Sequence, residues 1–120
     1  MSMPHSIDVL DQAALDELRA CDPDDTGLLA ELIEIFLTDT PPRLTAIRLA
    51  FDAGQPQALA REAHALKSSA AQLGARTLAE CCKQLEAKGR EGTLEGVAEL
   101  VARLPSDFEA VKAALLAAKA

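Results

Sequence analysis

Pro56-Gln-Ala-Leu-Ala-Arg-Glu-Ala-His-Ala-Leu-Lys-Ser-Ser-Ala-Ala-Gln-Leu73 decides the fold. Within it Leu59, Ala63, Leu66, Ala70 and Leu73 step by four, three, four and three. That rhythm puts every apolar side chain on one stripe of an α-helix, the face that packs in a bundle. The same rhythm extends in both directions. Leu78, Cys82 and Leu85 keep it downstream, and Val97, Val101, Leu104, Phe108, Val111, Leu115 and Ala118 carry it to the end. Upstream, Leu29, Ile33 and Phe36 are followed by Leu44, Ile47 and Phe51.

Composition agrees. The 120 residues include 24 Ala and 19 Leu, but 8 Val plus Ile, 3 Phe and no Trp or Tyr. Ala and Leu favour helices, whereas β-branched and aromatic residues favour strands. A β-sandwich or a parallel-sheet enzyme is thereby disfavoured. The length fits a single domain over 1–120, and no low-complexity linker or fixed-period repeat divides it.

Punctuation sets the expected boundaries. Asp22-Pro23-Asp24-Asp25 reads as a cap, an N1 proline and an acidic first turn, so a long helix is expected from about Asp24 to Ala53. Pro41-Pro42 inside it should kink or briefly break it. Gly54 ends that run and Gln55-Pro56 opens the next. Gly74 and Gly89 are further stop signals, and Thr93 is a plausible N-cap for the last segment. Pro105 interrupts that segment, with Ser106 and Glu109 as a candidate capping box. A kink is favoured there because the stripe stays in phase. A short helix from about Asp8 to Ala20 precedes the rest, and residues 1–7 are expected to be a flexible tail. The expected fold is all-α: an antiparallel up-down-up-down four-helix bundle over about 24–118, with a short additional N-terminal helix.

The net charge of −7 argues against a nucleic-acid binder, which needs a basic surface. No apolar run reaches the roughly 20 residues of a membrane span, and the N-terminus lacks the basic start and apolar core of a signal peptide. Three cysteines, Cys21 and the adjacent Cys81 and Cys82, do not suggest a disulfide framework. Cys82 lies at a core spacing, so a buried structural thiol is expected. Reduced thiols fit a cytoplasmic protein. A start at Met1 favours a free-standing chain, expected to be a monomer. The Asp22–Gly27 run mimics half a calcium loop, but its twelfth position would be Ile33, not Glu, and it reads as a cap.

His64 follows the core residue Ala63, so it points about 100° off the stripe and should be exposed or at the rim. Ala60, Arg61, Lys67, Ser68 and Ala71 share its face, and three of these five are small. From Arg61 to Arg76 there are three basic residues and one acid. On an acidic chain this local reversal suits a site that holds a phosphoryl group. No second ligand stands on that face, which argues against a metal site. No G-x-x-x-x-G-K-[ST] loop is present to bind ATP. The segment from Asp24 carries Leu28, Leu32 and Ile35 off its stripe. They are either covered by the N-terminal helix through Leu15 and Leu18 or left exposed as a partner patch.

From His64 to Ala75 the chain reads H-A-L-K-S-S-A-A-Q-L-G-A. This resembles the histidine-containing phosphotransfer domain family, whose signature is H-x-L-K-G-[SA]-[SA]-x-x-[LMF]-G-[AL]. Ala63, the run from Leu78 to Glu86 and the region around Phe108 and Val111 look similar too, so the resemblance covers about Leu28 to Leu116. It implies that His64 accepts a phosphoryl group from a receiver-domain aspartate and passes it to another response regulator. It implies that Lys67 stabilises the phosphorylated form and that Gly74 ends the helix. Ser68 stands where the family has glycine; it keeps the position small and adds a hydroxyl able to bond a phosphoryl oxygen. Receiver docking is expected at Ala60, Arg61 and Ala71, with Ile35 or Leu32 contributing. The protein is then a phosphocarrier and not an enzyme. It needs no cofactor of its own, and the Mg2+ belongs to the partner. The competing reading is an interaction module of the same shape that never carries phosphate.

Overall fold

The computed structural model describes residues 9–119. Its elements are α1 (Gln12–Ala20), α2 (Leu28–Asp52), α3 (Pro56–Gln72), α4 (Arg76–Arg90) and α5 (Ala98–Lys119), all helical. Helices α2 to α5 pack as a ring: α2 against α3 and α5, and α4 against α3 and α5. Helix α1 lies on α2. Lys119 at the end of α5 pairs with Glu34 near the start of α2, so those two helices run in opposite directions. Short turns reverse α2 into α3 and α3 into α4, which completes the expected antiparallel bundle. The expected flexible tail at 1–7 lies outside the described residues.

The stripes form the core. Ile33, Ile47, Leu59, Ala63, Leu66, Leu78, Cys82, Leu85, Val101, Val111 and Leu115 are buried. Phe36 and Phe108 meet across α2 and α5 with ring centroids 6.0 Å apart. Cys81 is buried beside Cys82, its thiol near the Leu100 carbonyl. Burial pushes these thiols up to about 11 and about 12. They therefore stay protonated and act as packing residues.

Several boundaries differ from expectation, each for a local reason. Helix α2 starts at Leu28, not Asp24. The Asp22 carboxylate reaches forward and accepts from the backbone N–H groups of Thr26, Gly27 and Leu28. It thus caps the helix from six residues away, and Asp24 and Asp25 stay in an exposed loop. Helix α1 starts at Gln12 because Asp11 caps it through the Ala13 N–H. Pro41 and Pro42 do not break α2, and Pro105 does not break α5. All three prolines are exposed, so their rings project to solvent and not into the core. Ser106 donates back to the Arg103 carbonyl within the helix instead of forming a capping box.

Glycine assignments divide. Gly54 and Gly74 take positive φ at helix ends, as expected. Gly74 also sits under α1: the Asp11 N–H donates to its carbonyl at 2.6 Å, and a Cβ there would lie 2.7 Å from the Asp11 oxygen. Gly89 is not a stop. It lies buried inside α4, and the positive φ that follows that helix belongs to Gly92. Thr93 does not cap α5, which starts at Ala98; its hydroxyl accepts from the Glu95 N–H in the preceding turn.

The Thr26 hydroxyl and amide, then the Leu28 amide, lower the Asp22 carboxyl from its ordinary 3.8 to about 2. A carboxyl lowered on folding stabilises the fold above its unfolded value, and that contribution disappears as pH falls through the folded value. Asp22→Ala should therefore lower the urea midpoint at neutral pH, with the gap to wild type closing between pH 3.8 and about 2. A gap that stays constant through that window would refute this capping role.

Candidate functional site

The site is built where α3 and α4 run side by side. His64 stands on the outer face of α3 with its side chain 53% exposed, as its offset from the stripe requires. Lys67 is one turn further along the same face. Helix α4 brings Glu86, whose side chain is 6% exposed, directly behind the ring.

Glu86 organises the cluster. Its Oε2 lies 2.9 Å from His64 Nδ1, and Arg90 of the same helix approaches that oxygen. Its Oε1 lies 2.7 Å from Lys67 Nζ. Lys67 is the main cause holding the Glu86 carboxyl below its ordinary range; His64 and Arg90 add to it, and burial opposes it. An ionised carboxylate can only accept a hydrogen bond. The proton between the two residues therefore belongs to Nδ1, and the neutral ring keeps its lone pair on Nε2, on the side away from Glu86.

The ion pairs at the ring join Glu86 to Lys67 and Arg90, and Arg61 is exposed one turn before His64. Glu62, the acid within the locally basic stretch, is drawn off by Arg43 of α2 at 3.0 Å. Among the residues that pair at the ring or share its face, Arg61, Lys67 and Arg90 outnumber the anion Glu86, in a chain of net −7.

The structure places the remaining predicted site residues as follows. Ser68 and Ala71 are exposed on the His64 face, and Arg61 is exposed one turn before it. Ala60 is not available for docking: it is 4% exposed, packed against Gly89 of α4. Its helical offset is right, but α4 covers that end of the face. Leu32 is half-buried, while Ile35 is 50% exposed and shares a small cavity with Ser69 and Gln72 of α3. Leu15 is buried and Leu18 half-buried against the core, so α1 provides part of the expected cover and leaves Ile35 open. Gly74 ends α3 as the resemblance implied. Among the described residues no cluster of three or more metal-ligating side chains occurs.

Glu86 and Arg90 escaped sequence reasoning. A signal existed: Glu86 falls four residues after the core positions Leu78 and Cys82 in series, so a carboxylate occupies the inward stripe. Only the fold shows that the inward stripe of α4 ends at His64.

The model of the Hpt domain matches residues 31–114. The chain belongs to the Hpt family. A crystal structure of histidine-containing phosphotransfer protein B (HptB) from Pseudomonas aeruginosa PAO1 superposes with a TM-score of 0.83 at 30% identity, covering 98% of this chain and 96% of that one. Among curated proteins no match was found. The helical bundle expected from the stripes is thus that of an Hpt domain.

At a pH where the ring is neutral, nitrogen-15 shifts of His64 should show a protonated Nδ1 and a bare Nε2. Glu86→Ala should give a mixture of tautomers. A wild-type ring protonated chiefly at Nε2 would contradict the geometry.

Proposed function

We propose that this Hpt protein is a phosphorelay intermediate with His64 as its phosphoacceptor. One observation carries the reading: a half-exposed imidazole whose Nδ1 is held by a buried carboxylate, with Lys67 on that same carboxylate. Membership of the Hpt family and likeness to HptB support the histidine phosphotransfer role.

The Nε2 lone pair attacks the phosphorus of an aspartyl phosphate on a receiver domain. The N–P bond forms, the acyl phosphate O–P bond breaks, and the partner's carboxylate leaves. The ring then carries positive charge shared with Nδ1–H, which Glu86 offsets. Transfer to a second receiver reverses these steps and restores neutral His64. Such chemistry needs positioning and charge neutralisation more than covalent machinery. A phosphoryl group brings about two negative charges. Arg61 is exposed on that face, and the Lys67 ammonium, paired with Glu86 in the free protein, would turn to a phosphoryl oxygen. The Ser68 hydroxyl, one turn after His64, is placed to donate to a phosphoryl oxygen. Mg2+ and the acidic pocket belong to the partner.

Hpt proteins are phosphocarriers that engage receiver domains of kinases and response regulators. In this chain the docking face comprises Arg61, Ser68 and Ala71, extended by Ile35 and the edge of Leu32. No helix among the described residues is long and apolar enough to cross a membrane.

Mixed with a phosphorylated receiver domain, wild type should take up acid-labile, base-stable label, and His64→Gln should take up none. Label on His64→Gln would place the acceptor elsewhere; no label on wild type from any cognate receiver would remove the carrier reading. Lys67→Ala should keep the fold while slowing transfer or shortening phosphohistidine lifetime about tenfold, in line with loss of one charge-assisted contact. Unchanged kinetics would remove its assigned role.

A further inference from the structure

Gly89 is an odd residue for its place. Its backbone is helical, it lies in the last turn of α4, and alanine has the higher helix propensity there. Neither a turn nor a positive φ requires glycine, since the positive φ comes three residues later at Gly92. The explanation lies across the groove. A Cβ on Gly89 would stand 2.5 Å from the Pro56 carbonyl oxygen, 2.8 Å from Ala60 Cβ and 3.1 Å from Ala60 N. Two of these three are backbone atoms of the first turns of α3, which cannot swing aside as a side-chain tip would.

The position of this contact matters. Helices α3 and α4 form a hairpin closed by the Gly74 turn. Gly89 touches α3 at the open end, where the turn no longer sets the separation. His64 is one turn along α3 from Ala60, and Glu86 is about one turn along α4 from Gly89. The site's two facing residues therefore sit one turn inside the contact. Widening the open end would draw the Glu86 carboxylate away from Nδ1. At 2.9 Å that bond has little slack, because a separation near 3.6 Å is no longer a hydrogen bond.

We propose that Gly89 is a positioning residue for phosphotransfer. By admitting the α3 backbone into contact with α4, it sets the reach of Glu86 to His64 and so holds the ring in its Nδ1–H tautomer. This rests on His64 being the phosphoacceptor, but its structural part can be read without any phosphate.

The experiment uses the full chain in a His5→Gln background, so that one imidazole is observed. Gly89→Ala should remain helical and show His64 nitrogen-15 shifts of mixed tautomers. Its rate of phosphoryl uptake from a phosphorylated receiver should fall about tenfold or more, as expected when a reacting group is displaced by a fraction of an ångström to one ångström. Ala60→Ser inserts an atom at the same contact from the other helix and should produce the same ring signature. Val111→Ala, a core truncation on α5, should lower thermal stability while leaving the ring shifts and the rate as in wild type. A folded Gly89→Ala with wild-type ring shifts overturns the proposal, as does a Val111→Ala that disturbs the ring equally. If Gly89→Ala fails to fold, Ala60→Ser decides; if neither folds, the contact serves stability alone and the proposal falls. A wild type that takes no phosphoryl group, with ring shifts that still respond to Gly89→Ala, would sink the carrier reading and leave standing only Gly89's control of the ring tautomer.

Discussion

A carboxylate withdrawn from water is costly unless cations and hydrogen bonds replace its hydration. Glu86 is such a carboxylate, and it gathers His64, Lys67 and Arg90 around itself. The partners come from both helices of the α3/α4 hairpin, so the charge cluster forms only if the two helices lie at the right distance and register. Gly74 fixes that distance at the closed end, and Gly89 permits it at the open end. The imidazole is half-exposed and would otherwise sample several orientations. Its fixed tautomer is thus a consequence of helix packing expressed through one buried anion.

The fold was legible because its information is local. A stripe with a period of 3.6 residues names the buried face of a helix without knowledge of the partner, and Leu59 to Leu73 or Val97 to Ala118 show that face directly. His64 was legible for the same reason, since its offset from Ala63 follows from helix geometry alone. Errors arose where a residue answers to something distant in sequence. Gly89 looks like a stop signal until the Pro56 carbonyl is seen against it. Ala60 looks exposed until α4 covers it. Asp22 looks like the start of a helix, but its side chain reaches six residues forward to the Leu28 amide, which displaces the helix start. Spacing within α4 puts Glu86 on the inward stripe, but its partner His64 lies on another helix.

The uneven charge of the chain follows a similar logic. Most acids lie on solvated faces, where repulsion is weak and solubility gains. Two acids within reach of the site are handled differently. Glu62 is paired by Arg43 on the α2 side, which draws its negative charge away from His64. Glu86 is retained, but behind the ring, on the side opposite Nε2. In the proposed transfer, a negative charge there would stabilise the positive ring. The same charge in front of Nε2 would repel the incoming phosphoryl group. The sign of the effect is decided by which ring nitrogen the carboxylate faces.

Small residues complete this division. Ala71 and Ser68 leave the front of the ring open, whereas Ala60, Ala63 and Ala70 let α3 approach its neighbours behind it. One helix thereby uses short side chains for two opposite purposes, access on one face and close approach on the other. Larger residues on the buried face would move α4 and with it Glu86; larger residues on the open face would obstruct a receiver without moving anything. Substitutions on the two faces should therefore separate in kind. Those behind the ring act through its tautomer, and those in front act through encounter with the partner.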